Sequence, residues 1–260
     1  MMRLTLLGTL SLGWLLASAC SPIYVAPSAN APLFGSGGEL HGAAQLESLG
    51  GIDLQGAFSP FDHFGIQAGL SMLPEYDDDD DHRHYYGELG LGGYVPFGIG
   101  RFEVFAGAGY GKGWGRLEST ADGTKVRGTG TYTRAYLQAD IGLSTRVVDF
   151  GLMSRYSWVI YDYTDVNGVE RTIDDPFIEE FLFFRIGYDP VKFELQTGVL
   201  WGADYEYQEI AWIPWHVSIG IHVKFDLWGG AGEEEAPAAA DPPPADSGRQ
   251  LVPEGFGRLW

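Results

Sequence analysis

Residues able to do chemistry are sparse here: six histidines and one cysteine stand against 35 acidic residues. The densest cluster is Asp77-Asp78-Asp79-Asp80-Asp81-His82-Arg83-His84. Asp79, Asp81, His82 and His84 carry donor types that a transition metal takes, carboxylate oxygen and imidazole nitrogen. The spacing does not match a calcium loop, which separates its ligands and turns on a central glycine. A run of like charges usually forms a solvated, extended loop, and that is the expectation for this one. No metal is assigned.

A second grouping depends on folding. His216 opens the last apolar–polar stretch. If that stretch pairs with the first, His216 comes near Glu47 and Ser48. An imidazole beside a carboxylate and a hydroxyl is the chemistry that activates a nucleophile. The sequence holds no motif that ties the three together, so no catalytic residue and no cofactor are assigned.

A third set is larger. Glu88, Glu103, Arg134, Asp140, Arg155, Glu179, Arg185 and Glu194 fall on one parity of alternating stretches, with Glu39, His41, Gln45, Gln138, Gln196, His222 and Lys224. Acids and bases are mixed in it. If this parity faces a narrow interior, the charges must pair, because an unpaired buried charge is costly. The expectation is a polar network filling a lumen, with a narrow water or ion path as the alternative.

The elements that position these residues follow from periodicity. From Thr131 to Tyr161 one parity is apolar: Ala135, Leu137, Ala139, Ile141 and Leu143, then Phe150, Leu152, Tyr156, Trp158 and Ile160. The other carries Arg134, Gln138, Asp140, Asp149, Arg155 and Ser157. Period-two alternation predicts strands with one apolar and one polar face, longer than usual. The spacing predicts strands at Glu39–Glu47, Ile52–Phe58, Phe64–Leu73, Tyr85–Val95, Phe102–Trp114, Thr131–Ser144, Val148–Tyr161, Phe177–Tyr188, Val191–Trp201 and Trp215–Phe225. Short and long connections alternate after the first hairpin. That pattern fits an all-β, antiparallel up-and-down transmembrane barrel of about ten strands, eight being the alternative. Short turns then lie in the periplasm, and both termini with them. Trp114, Trp158, Trp201, Tyr110, Tyr156 and Tyr188 are expected at the membrane interfaces.

The formal net charge of −19 disfavours nucleic acid, which needs clustered Lys and Arg. After the leader no apolar run approaches the length of a membrane-spanning helix. Arg3, the apolar run Leu4 to Leu16 and Leu16-Ala17-Ser18-Ala19-Cys20 read as a secretory signal peptide, and the last five resemble a bacterial lipobox. That resemblance implies cleavage before Cys20 and acylation of its thiol. The predicted organisation is a signal peptide at 1–19, a lipidated tether at 20–37, the barrel at 38–226 and a disordered, acidic, Pro/Ala-rich periplasmic tail at 227–260. Acids also concentrate in the long loops, where they suit divalent cations or cationic peptides as partners.

Cys20, Asn30-Ala31-Pro32-Leu33-Phe34, Gly38-Glu39-Leu40, Gly51 to Phe58, His63-Phe64-Gly65 and Arg101-Phe102-Glu103-Val104 resemble small outer-membrane β-barrel lipoproteins of the Bacteroidota type. The resemblance spans roughly Cys20 to Phe225 and implies fold and location, and it offers no catalytic residues to carry over. Outer-membrane lipid and the barrel assembly machinery are the expected partners of a chain expected to be a monomer. The expected role is structural or surface interaction. Two alternatives remain. One is an outer-membrane hydrolase, of the omptin-like protease or lipid-A-modifying type, using rim Asp and His. The other is a soluble periplasmic β-lipoprotein.

Overall fold

A computed structural model describes residues 24–73, 83–118, 125–164, 169–203, 210 and 212–228, with side chains described except at 114–118 and 125–129. Ten strands follow in order: β1 (Glu39–Glu47), β2 (Ile52–Phe61), β3 (Phe64–Leu73), β4 (Arg83–Phe97), β5 (Gly100–Glu118), β6 (Lys125–Ser144), β7 (Val148–Thr164), β8 (Glu170–Tyr188), β9 (Val191–Gly202) and β10 (Trp215–Asp226). Each pairs antiparallel with its neighbours, and β1 pairs with β10, so the sheet closes as a barrel. The closing register runs from Glu39 opposite Asp226 to Glu47 opposite Ser218.

The alternation of types becomes an alternation of faces. On β6 and β7 the apolar parity points outward, pairing Leu137 with Tyr156, Ile141 with Leu152 and Leu143 with Phe150 across the strands. Leu137 and Ile141 are 56% and 52% exposed, whereas Arg134, Gln138, Asp140 and Arg155 are fully buried. This is a water-soluble protein turned inside out. Leu89, Leu91, Phe102, Phe150, Leu182, Phe193, Leu195, Ile219 and Ile221 continue the apolar exterior around the barrel. Ser154 and Glu180 interrupt it and hydrogen-bond each other at 2.6 Å. Tyr110, Tyr156, Trp158 and Tyr188 are exposed on the same outer surface.

The connections differ by end. Asp62-His63, Gly98-Ile99, Thr145 to Val147 and Asp189-Pro190 are short and share the end where β1 begins and β10 stops. At the opposite end the strands of the β5–β8 sector run further than alternation predicts. β6 begins at Lys125 and β8 at Glu170, inside stretches expected as loop. Pro176 is tolerated within β8 because β9 pairing ends beside it. Phe177 is the last β8 residue opposite β9, and the Pro176 carbonyl caps Ala203 N–H at 2.9 Å.

Of the stretch expected as a tether, 20–37, the residues from Tyr24 on are described. Val25 to Phe34 are buried inside the barrel. At one end Tyr24 bridges to Trp212 and packs on Phe177 and Tyr132, at the long-loop mouth. At the other, Gly37 N–H donates to Asp62 at 2.7 Å and Gly38 N–H to Ser59 O, at the short-turn end. The segment therefore runs the length of the lumen before β1 begins. The termini themselves, expected at the short-turn end, lie outside the described residues. Tyr24 and Trp228, the first and last described residues, lie at opposite ends. Trp228 folds back over Gly38 and packs edge-on against Phe58, so the first residues of the expected tail belong to the barrel. Residues 1–23, Asp79, Asp81, His82 and the tail from 229 on lie outside the described residues.

Candidate functional site: a lumen filled by the chain's own segment

Tyr24 to Gly38 contains no charged residue, and Pro27 and Pro32 keep it from regular structure. A buried extended segment must satisfy its backbone polar groups somewhere. Here lumen side chains do so. Gln196 reads Ala29 twice, accepting its N–H at 2.7 Å and donating to its carbonyl at 2.9 Å. Glu103 accepts Leu33 N–H at 3.0 Å and Phe34 N–H at 2.7 Å. Gln55 donates to Ser28 O, Gln138 to Asn30 O and Arg185 to Ala31 O, each at 2.8 Å. In return the Asn30 amide donates to the carbonyls of Gly56 and Ala68, opposite each other on β2 and β3. Space is made by glycine. A Cβ at Gly65 would meet the Phe34 ring at 2.8 Å, and one at Gly142 would meet Leu33 at 3.0 Å.

The eight network residues all point inward and form two layers around this segment. Toward the long-loop mouth, Arg134 pairs with Glu88 and, at 3.4 Å, with Glu179. The Tyr24 hydroxyl sits between them, donating to Glu179 at 2.6 Å and accepting from Arg134 at 2.7 Å. Arg155 reaches Glu179 at 3.5 Å and Gln138 at 3.1 Å. Below, Arg185 pairs with Glu194 at 3.0 Å, and Gln138 holds Asp140 at 2.9 Å. At the short-turn end Glu39 collects His41 and Lys224.

Of the histidines with expected roles, His84 is the second residue of β4 and turns inward, bonding Ser71 at 3.0 Å. His216 also turns inward. It meets Glu47 as the closed barrel requires, but its other partners are Asp53 and the Ser28 hydroxyl, the latter at 3.1 Å. Ser48 instead donates its backbone N–H to Val217. Asp53 and Ser28 escape a reading by motif because they come from β2 and the lumen segment. The signal that points to the segment is its freedom from charge in an acidic chain. Ser28, His216 and the two acids resemble a nucleophile set, yet the cavity beside Ser28 is about 10 Å³. That is room for about one water.

No protein-family model and no curated protein matches the chain. Among solved structures, the chain is similar to the translocator domain of the autotransporter NalP from Neisseria meningitidis, with 12% identity, a TM-score of 0.45 and coverage of 75% of this chain and 90% of that one. It is also similar to the β domain of the Bordetella autotransporter BrkA, with 14% identity, a TM-score of 0.38 and coverage of 73% and 99%. Outer-membrane expressed OmpT of Vibrio cholerae follows at 8% identity and a TM-score of 0.23, with coverage of 74% and 100%. The fold assignment rests on the strand pairing of this chain, not on these likenesses.

Proposed function

We propose that this chain is an outer-membrane β-barrel lipoprotein, acylated at Cys20 and sealed by its own amino-terminal segment, whose long-loop face serves surface interaction. The observation that carries the reading is the inversion of polarity: an apolar exterior around a lumen of charged side chains, in which Arg134 pairs with Glu88 and Glu179 and Arg185 with Glu194. The filled lumen supports a structural role over conduction.

The direction of the lumen segment adds a consequence for the lipid. Cys20 precedes Tyr24 by four residues and so lies within about 14 Å of it. Tyr24 is at the long-loop mouth. With short turns in the periplasm, the acyl group then enters the outer leaflet, on the same side as the acidic loops.

Tags accessible to protease or biotin in intact cells test this. One is placed after Ser21, one in the connection at 119–124 and one near Ser247. The expected outcome is labelling of the first two and protection of the third. Labelling of the 119–124 tag with protection of the Ser21 tag would refute the threading. Protection of all three would refute surface display.

A further inference from the structure

Where the barrel closes, three residues from three strands turn into one buried spot: Glu47 from the end of β1, Asp53 from β2 and His216 from β10. One ligand atom from each lies within 4.8 Å of the others. All three side chains are buried, Glu47 at 6%, Asp53 at 1% and His216 at 5% exposure. The two carboxylates are neighbours. Neither Glu47 oxygen has a hydrogen-bond donor among the described residues, nor does Oδ1 of Asp53. Other buried acids of this lumen, Glu88, Glu179 and Glu194, have arginine partners. This pair has none among the described residues.

Two facing buried carboxylates require a cation or a proton between them. The third group distinguishes the cases. His216 Nε2 lies 3.1 Å from Ser28 Oγ, so one ring nitrogen is held by a hydroxyl. A ring oriented by a hydrogen bond at one nitrogen is the outer-shell arrangement of metal-ligating histidines. Asp53 is fixed in the same way, by Ser28 N–H to Oδ2 at 2.6 Å. Gly51 leaves the space that Glu47 occupies, since a Cβ there would meet Oε2 at 2.5 Å.

We propose that Glu47, Asp53 and His216 bind one divalent transition-metal cation of the Zn²⁺ class. Two carboxylate oxygens and one imidazole are a set that zinc accepts, with Ser28 Oγ or a water available as the fourth ligand. Glu47 lies opposite Ser218 in the β1–β10 register, so the cation joins the first and last strands. Through Ser28 it also ties the lumen segment to the seam.

The test uses the full chain folded in detergent, treated with chelator and titrated with Zn²⁺ alone by calorimetry. Its background replaces Asp77–Asp81 by Asn and His82 by Ala, which removes the loop donors. One equivalent is expected to bind, with affinity falling at least 100-fold in Glu47→Gln and in Asp53→Asn, both close in shape to the native residues. Zn²⁺ is also expected to raise the unfolding temperature of the background protein but not that of Glu47→Gln. In chelator the order reverses, because Glu47→Gln relieves the repulsion. No stoichiometric binding to the folded background protein would overturn the proposal. So would binding that survives both substitutions, or a Zn²⁺-independent unfolding temperature.

Discussion

Glu103 offers the sharpest test of how the lumen segment is held. Its buried carboxylate accepts two consecutive backbone N–H groups, those of Leu33 and Phe34, at 3.0 and 2.7 Å. Hydrogen bonds to a charged group contribute about 1.5–3 kcal/mol each. Glu103→Ala therefore removes about 3–6 kcal/mol from the seated state, with water entering the vacated space and favouring the lower figure. At about 1.4 kcal/mol per tenfold, release of the segment becomes roughly 10²-fold more populated or greater. Ala31, fully buried two residues upstream, is the reporter position. An Ala31→Cys, Cys20→Ser protein is folded in detergent, and maleimide labelling is timed against the denatured chain. Labelling is expected to accelerate by about two orders of magnitude in Glu103→Ala, given those hydrogen-bond energies. Glu103→Gln, which keeps one acceptor oxygen, falls between. A change under about threefold, with the folded gel mobility retained, would refute the claim that this carboxylate holds the segment.

Two further substitutions address the two faces of the wall. Arg134→Met strips the cation from Glu88 and Glu179 and a donor from Tyr24, and breaking such a buried set is expected to cost about 3–5 kcal/mol in urea unfolding. Leu137→Arg, on the outer face opposite Tyr156, should cost about 2–4 kcal/mol when the protein is folded into bilayers, and a loss below about 1 kcal/mol would argue against lipid contact there.

The membrane part of the wall is legible because each strand there separates lipid from lumen, and that contrast forces period two. β1 and β3 accordingly have the expected bounds, Glu39–Glu47 and Phe64–Leu73. Legibility fades toward the long-loop mouth. In Lys125 to Gly130 and Glu170 to Asp175 the alternation lapses, and the Gly, Thr and Asp residues there read as loop, although backbone pairing continues. The lumen segment is hidden for a different reason. Its partners are side chains instead of a neighbouring strand, so no period is imposed on it. Val25 to Phe34 thus has the composition of a linker and the burial of a core. The inward charges were visible as a set, but their grouping into Arg134–Glu88–Glu179 and Arg185–Glu194 depends on strand register across the barrel. Asp53 and Ser28 beside His216 could not be found from parity alone, since parity gives a face and not a height.

The path of the lumen segment also constrains the order of assembly. β1 and β10 are joined by pairs such as Glu39 with Asp226, the most distant in sequence of any neighbouring strands, so their seam forms late. The segment ahead of β1 contacts β2, β3, β5, β6, β8, β9 and β10 through the bonds described above. It can make these while the sheet is still an open, curling ribbon. It then acts as a mandrel around which the ribbon rolls, and the seam shuts over it. Tyr24 never has to be pulled through a finished channel, because it is already at the far mouth when the channel comes into being.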